Sequence, residues 1–200
     1  GQTLIYLFNF QPQNPLENPL VDPTGVNYLQ SGRSKLFGLK NYINQNITSS
    51  VIKRNLLSYL NLIINLIDKN KVAEAISSLY QLRLQISDWQ VSGKIDESTA
   101  RILKNKIQEA LNDVEQSYII IETNKGGTYP ALTLSRETSS AEKVFQKMEN
   151  KLKLLESQGK AKPDHGALYL LASEKLNQAK SSTSYKAHIN ALGAQYLSQE

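Results

Sequence analysis

The sequence predicts a mainly α protein: two related antiparallel helical bundles in tandem, a short connector, and a Pro-rich lead. Three observations carry that expectation. Eight of the twelve residues from Leu56 to Ile67 are Leu or Ile, too short and too Asn-broken a run to cross a membrane, yet apolar enough to need cover. Apolar residues elsewhere return at three- and four-residue steps between Ser-, Asn- and Gly-rich breaks, as amphipathic helices require. The same order of turns and helices then reappears later in the chain.

Residues 1–34 read as an extended lead. TLIYLFNF, Thr3 to Phe10, favours strand through its β-branched and aromatic content. It lacks the basic start and small-residue cleavage site of a signal peptide. Prolines at 12, 15, 19 and 23 argue for an irregular path beyond it. A first bundle is expected over 35–114. Its opening helix, Ser34 to Asn44, carries Leu36, Leu39, Tyr42 and Ile43, and Thr48, Ser49 or Ser50 is placed to cap the next. Val51 to Asp68 reads as the central core helix, covered nearly all round. Asp68 to Lys71 turns into a helix from Val72 to Trp89, which Gly93 stops as a C′ residue. Asp96 or Ser98 caps a fourth helix bearing Ala100, Leu103, Ile107, Ala110, Leu111 and Val114. Short links between four helices favour an up-and-down arrangement.

From 115 to 140 the period changes. Two β-prone runs, Tyr118–Glu122 and Ala131–Leu134, flank Asn124-Lys-Gly-Gly127 and suggest a β-hairpin connector, with a helix end and loop as the alternative. A second bundle follows over 141–200. Its helices run from about 139 to 158, from Ala167 to Ala179 and from Tyr185 to Leu197, separated by Gly159–Gly166 and Ser181–Ser184.

At an offset of 113 the halves align. Leu39 meets Leu152, Leu57 meets Leu170, Ile63 meets Leu176, Ile76 meets Ile189 and Leu79 meets Leu192. Within the first half, Asn55-Leu-Leu57 with Leu60, Ala73-Glu-Ala75-Ile76 with Leu79, Gly93-Lys94-Ile95, and Ala100 with Leu103 resemble the FIMAH domain. The second half shows Gln158-Gly159-Lys160, His165-Gly166-Ala167 and Ala187-His188-Ile189-Asn190-Ala191-Leu192. The resemblance covers about 40–111 and 150–200. It departs at Leu82, where the family favours Phe, and 1–34 and 115–140 have no counterpart in it. It implies an all-α accessory or spacer module of secreted bacterial proteases and glycoside hydrolases, with no catalytic residues to carry over.

Charge and composition narrow the classes. The chain has 200 residues, 40% hydrophobic and 20% charged, ordinary for a globular fold with a real core. Cysteine is absent, which removes disulfides, thiolate chemistry and Cys-containing zinc sites. No run is long and apolar enough for a transmembrane helix. Net charge is +5. Between Asp22 and Asp68 there is no acid, while Arg33, Lys35, Lys40, Lys53 and Arg54 lie inside. That stretch reads either as a solvated face or as a patch for polyanions.

The chemistry-bearing motifs are sparse. His165 and His188 sit at no metal-ligand spacing, so no metal and no cofactor is expected. No Ser–His–acid trio or phosphate loop appears. Asn46-Ile47-Thr48 matches a glycosylation sequon, a triplet common by chance. Trp89, Tyr80, Tyr59, Lys53 and Arg54 are the candidate ligand surface, provided the aromatics are exposed; a core-closing Trp89 is the alternative. The expectation is a non-enzymatic binding or spacer module, secreted or at the cell surface, holding a glycan or protein. The runner-up is an intracellular adaptor or nucleic-acid-associated protein using the basic 33–54 stretch, which would place it in the cytoplasm.

Overall fold

The structure, a computed structural model, describes residues 27–200. The β-prone run and prolines of the lead lie outside the described residues. Seven helices and no strand are present among those described: α1 Tyr28–Asn46, α2 Ser50–Asp68, α3 Val72–Val91, α4 Glu97–Asn124, α5 Ala131–Ser157, α6 Pro163–Ser181 and α7 Ser184–Leu197.

Helix ends follow from local chemistry. Asn27, Ser49 and Asp96 each accept a backbone N–H three residues on, capping α1, α2 and α4. At the end of α3, Gly93 takes φ +69°. Its N–H and that of Lys94 close onto the Gln90 and Trp89 carbonyls at 3.1 and 2.8 Å, the left-handed stop expected of a C′ glycine.

Helices α1 to α4 form a ring, each packing on its chain neighbours and α4 closing back on α1. Leu36, Leu39, Ile43, Leu60, Ile63, Ile76, Leu79, Leu103 and Ile107 fill its centre. Helices α5 and α6 pair, α7 packs on both, and α7 also docks on α3 and α4. Ala172, Ile189 and Leu197 thereby join the same apolar core as the ring. Helix α7 lies close because its buried face is small: Ala187, Ala191, Gly193 and Ala194. A Cβ built on Gly193 would stand 2.5 Å from the Tyr80 hydroxyl.

Four expectations are corrected. The bundle begins at Tyr28, inside the expected lead, because Asn27 caps and Gly32 lies against Val114. The β-hairpin is absent: Tyr118 and Ile121 extend the buried stripe of α4 beyond Val114, and 131–134 are the first turn of α5. Only the loop 125–130 separates the two helices. Helix α6 starts at Pro163 rather than Ala167, proline at the first helical position needing no hydrogen bond for its missing N–H. Helix α2 is not central. It packs on α1 and α3 alone, burying Ile52, Leu56, Leu60, Ile63, Ile64 and Ile67. Arg54, Asn55, Ser58, Asn61 and Asn65 face solvent, with Val51 and Leu62 the apolar exceptions.

Candidate functional site

A concave feature lies where the α3–α4 turn faces the start of α6. It is a cleft of about 500 Å³ lined by Gln90, Asp96, Glu97, Lys104, Lys162, His165 and Glu200 among others. A shallower extension of about 220 Å³ shares Lys104, Asp164, Leu168 and Glu200, and runs on past Arg83 and Arg101.

Most of its charges are engaged with one another; Asp164 and, in the extension, Arg101 have no ion pair among the described residues. Arg83, on α3, donates from Nε to Glu200 Oε2 at 2.9 Å and from Nη2 to Oε1 at 3.2 Å. Its Nη1 donates to the Lys104 carbonyl and Gln108 Oε1. Lys104 Nζ sits 3.1 Å from Glu200 Oε1. This group is almost fully buried, with side-chain exposures of 6% for Arg83 and 3% for Glu200. Nearer solvent, Lys162 Nζ bridges to Glu97 Oε2 at 2.8 Å. That bond holds the Glu97 carboxyl below, and the Lys162 ammonium above, their ordinary ranges. Asp96 accepts from the Ser98 hydroxyl and from the Thr99 hydroxyl and N–H, which keeps it far below the usual carboxylate range. His165 Nδ1 accepts the Lys162 N–H at 3.2 Å, so the neutral ring carries its proton on Nε2.

Deeper between the units, the Tyr80 hydroxyl donates to Glu115 Oε1 at 2.6 Å while Lys175 donates to Oε2. Burial, reinforced by the Glu115 charge, drives the Tyr80 phenol well above its usual value. Tyr196 stacks on Tyr80 with ring centroids 5.3 Å apart. A third cluster surrounds the 125–130 loop. His188 Nδ1 lies 2.8 Å from Glu137 Oε2, the Tyr129 hydroxyl donates to Glu137 Oε1, and the Tyr129 ring stacks on His188 at 4.2 Å. Desolvation raises Tyr118, whose ring meets His188 and Tyr185, to about 12.

The surface predicted from sequence does not assemble. Trp89 is 6% exposed and Tyr80 1%, both buried in the shared apolar core, because α3 is sandwiched between α2, α4 and α7. Neither ring is available for stacking on a sugar. Tyr59 is half-buried against the same core. Lys53 Nζ donates to the Asn44 carbonyl at 2.9 Å, and Arg54 faces solvent. The acid-free 33–54 stretch is met by acids from elsewhere: Arg33 pairs with Asp68 at 2.7 Å and Lys35 with Asp113 at 2.7 Å. Missed altogether were Glu115 with Lys175 and Glu137 with His188, partners 60 and 51 residues apart. No local spacing marks them.

The chain matches no family model, no curated protein and no solved structure. Among the described residues no group of His, Asp or Glu is arranged to hold a metal ion, and no helix is long and apolar enough to cross a membrane.

Proposed function

We propose that the chain is a non-catalytic binding or spacer module of a secreted or cell-surface bacterial protein, and that the cleft between the α3–α4 turn and α6 takes a neutral polar ligand, a glycan or a peptide segment. The observation that carries this reading is that most of the cleft's charges, Asp164 excepted, are paired between the α1–α4 ring and the part of the chain from Lys162 on. A reacting group needs an acid, base or nucleophile free to change its bonding. Here Glu200 holds Arg83 and Lys104, Glu97 holds Lys162, and Asp96 caps α4. The cleft lining also carries the polar side chains of Gln90, Asp164 and His165, suited to hydrogen bonding with hydroxyls or amides.

The FIMAH-like, tandem reading gains support from helix boundaries. Ser50–Asp68, moved by the 113-residue offset, falls on Pro163–Ser181. Positive φ also occurs in the turn after each of these helices, at Asn70 and, one residue out of register, at Ser184. Modules of this kind act by position and contact.

The test is retention on insoluble bacterial and plant glycans at low and high salt, beside a His165→Ala/Gln90→Ala variant. Salt-resistant retention that the variant loses by about ten-fold, the loss of one to two polar contacts, supports the reading. Turnover of any glycan or peptide by the purified protein would overturn it.

A further inference from the structure

Helix α5 is close to balanced in charge by composition, and the fold sorts those charges onto separate faces. Three of its four carboxylates turn to partners, Glu137 to His188 and Tyr129, Glu142 to Lys180 and Glu149 to Lys153, and the fourth, the exposed Glu156, lies on the side of the helix away from the basic row. Arg136, Lys143, Lys147 and Lys151 are exposed, and none has an ion-pair or hydrogen-bond partner among the described residues. At about 100° per residue these four fall on one face. Leu132 and Leu154 lie on that same face at its two ends, 67% and 57% exposed. Together the six span about 33 Å of straight helix within roughly 100° of its circumference. The side that packs inward is different, with Ala141 fully buried and Phe145 and Met148 half-buried.

We propose that this face of α5 docks on an anionic lipid bilayer, its four cations meeting headgroup charges while Leu132 and Leu154 enter the headgroup boundary. Cations alone would suit any polyanion. Exposed leucines at both ends of the row gain nothing from a phosphate backbone, but gain from partial burial at a lipid surface. No aromatic side chain lies on this face to stack on bases, as single-stranded nucleic acid would require. A straight row on an outer helix fits a flat surface, and anionic lipid attracts basic side chains near it. The inference stands apart from the cleft and its ligand.

The experiment is co-sedimentation of the whole chain with vesicles of phosphatidylcholine alone, or mixed with phosphatidylglycerol. Lys143→Gln/Lys147→Gln/Lys151→Gln and Leu132→Ser/Leu154→Ser are compared with Lys69→Gln/Lys94→Gln, which removes two exposed cations elsewhere. All seven positions are exposed, and far-UV circular dichroism checks that each variant keeps the native helix content. The chain is expected to bind only the anionic vesicles. The triple variant should bind about a hundred-fold more weakly, at about five-fold per cation. The leucine variant should lose the binding that survives raised salt, and the control should match the parent. Failure to bind anionic vesicles overturns the proposal, and so does equal binding to both compositions. Equally tight binding to a single-stranded oligonucleotide, unchanged in the leucine variant, also overturns it and leaves a general polyanion surface.

Discussion

Gly193 and Gly38 separate two meanings of one residue type. Gly38 lies in the exposed interior of α1 with nothing within 4 Å of a built Cβ, so alanine there removes only backbone freedom. Gly38→Ala is expected to stabilise by about 0.5–1 kcal/mol. Gly193 faces the Tyr80 hydroxyl, itself fixed by Glu115, with Lys175 Cδ at 3.3 Å. Gly193→Ala should destabilise by about 1–3 kcal/mol through overpacking, and urea unfolding of the two variants side by side reads both signs. Sequence alone gave no means of ranking these glycines, since each sits in an unbroken helical pattern. Trp89 shows the same limit: its place near a helix end suited surface and core equally until α3 was seen enclosed on three sides.

At the scale of elements, the four helices of the ring were readable because apolar spacing, Ser and Asp caps and Gly93 agreed with one another. The end of α4 was misread because Tyr118-Ile-Ile-Ile121 is strongly β-prone, and tertiary packing on α1, α3 and α7 overrides that preference. Helix α2 was misplaced for another reason: richness in Leu and Ile says how much must be covered, but not by how many partners. The caps carry a pH signature. Asp96, Glu97 and Asp68 all have folded-state values lowered by their hydrogen-bond partners. Their contribution to stability is therefore complete above the unfolded value, near pH 4, and is lost as pH falls through the folded values. Stability should be flat from about pH 7 to 5 and decline below about pH 4. In Asp96→Asn, which can still cap but cannot titrate, that decline should be shallower. Urea midpoints measured across the acid range check it.

Across the whole molecule the α1–α4 ring and the α5–α7 helices share an apolar core and two buried charge clusters, so they are expected to unfold together. Trp89 emission reports on the ring and far-UV ellipticity on all seven helices; in urea the two curves should coincide. Glu115→Gln leaves the nearly buried Lys175 without its counter-charge and should cost about 3 kcal/mol. Adding Arg83→Gln should pull the two curves apart, whereas curves already separate in the parent would show units that are stable independently. The candidate cleft was the least legible part of the molecule. Its residues come from 83–108, from 162–171 and from Glu200, and each segment alone reads as part of an ordinary helix or turn.

The polar character of the inter-unit contact bears on how the chain is made. Synthesis runs from the N-terminus, and domains tend to fold as they emerge. Helices α1 to α4 can close their ring before α7 exists. The face then waiting for α7 holds Arg83 and Glu115 beside Tyr80, instead of a bare apolar sheet of side chains. Hydrated charges keep that half-finished surface from sticking to other nascent chains. When α7 arrives its small residues settle over Tyr80, and Lys175 and Glu200 supply the missing counter-charges. The ion pairs that fix the docked position would then also leave a polar rather than an apolar face on the ring until α7 is in place.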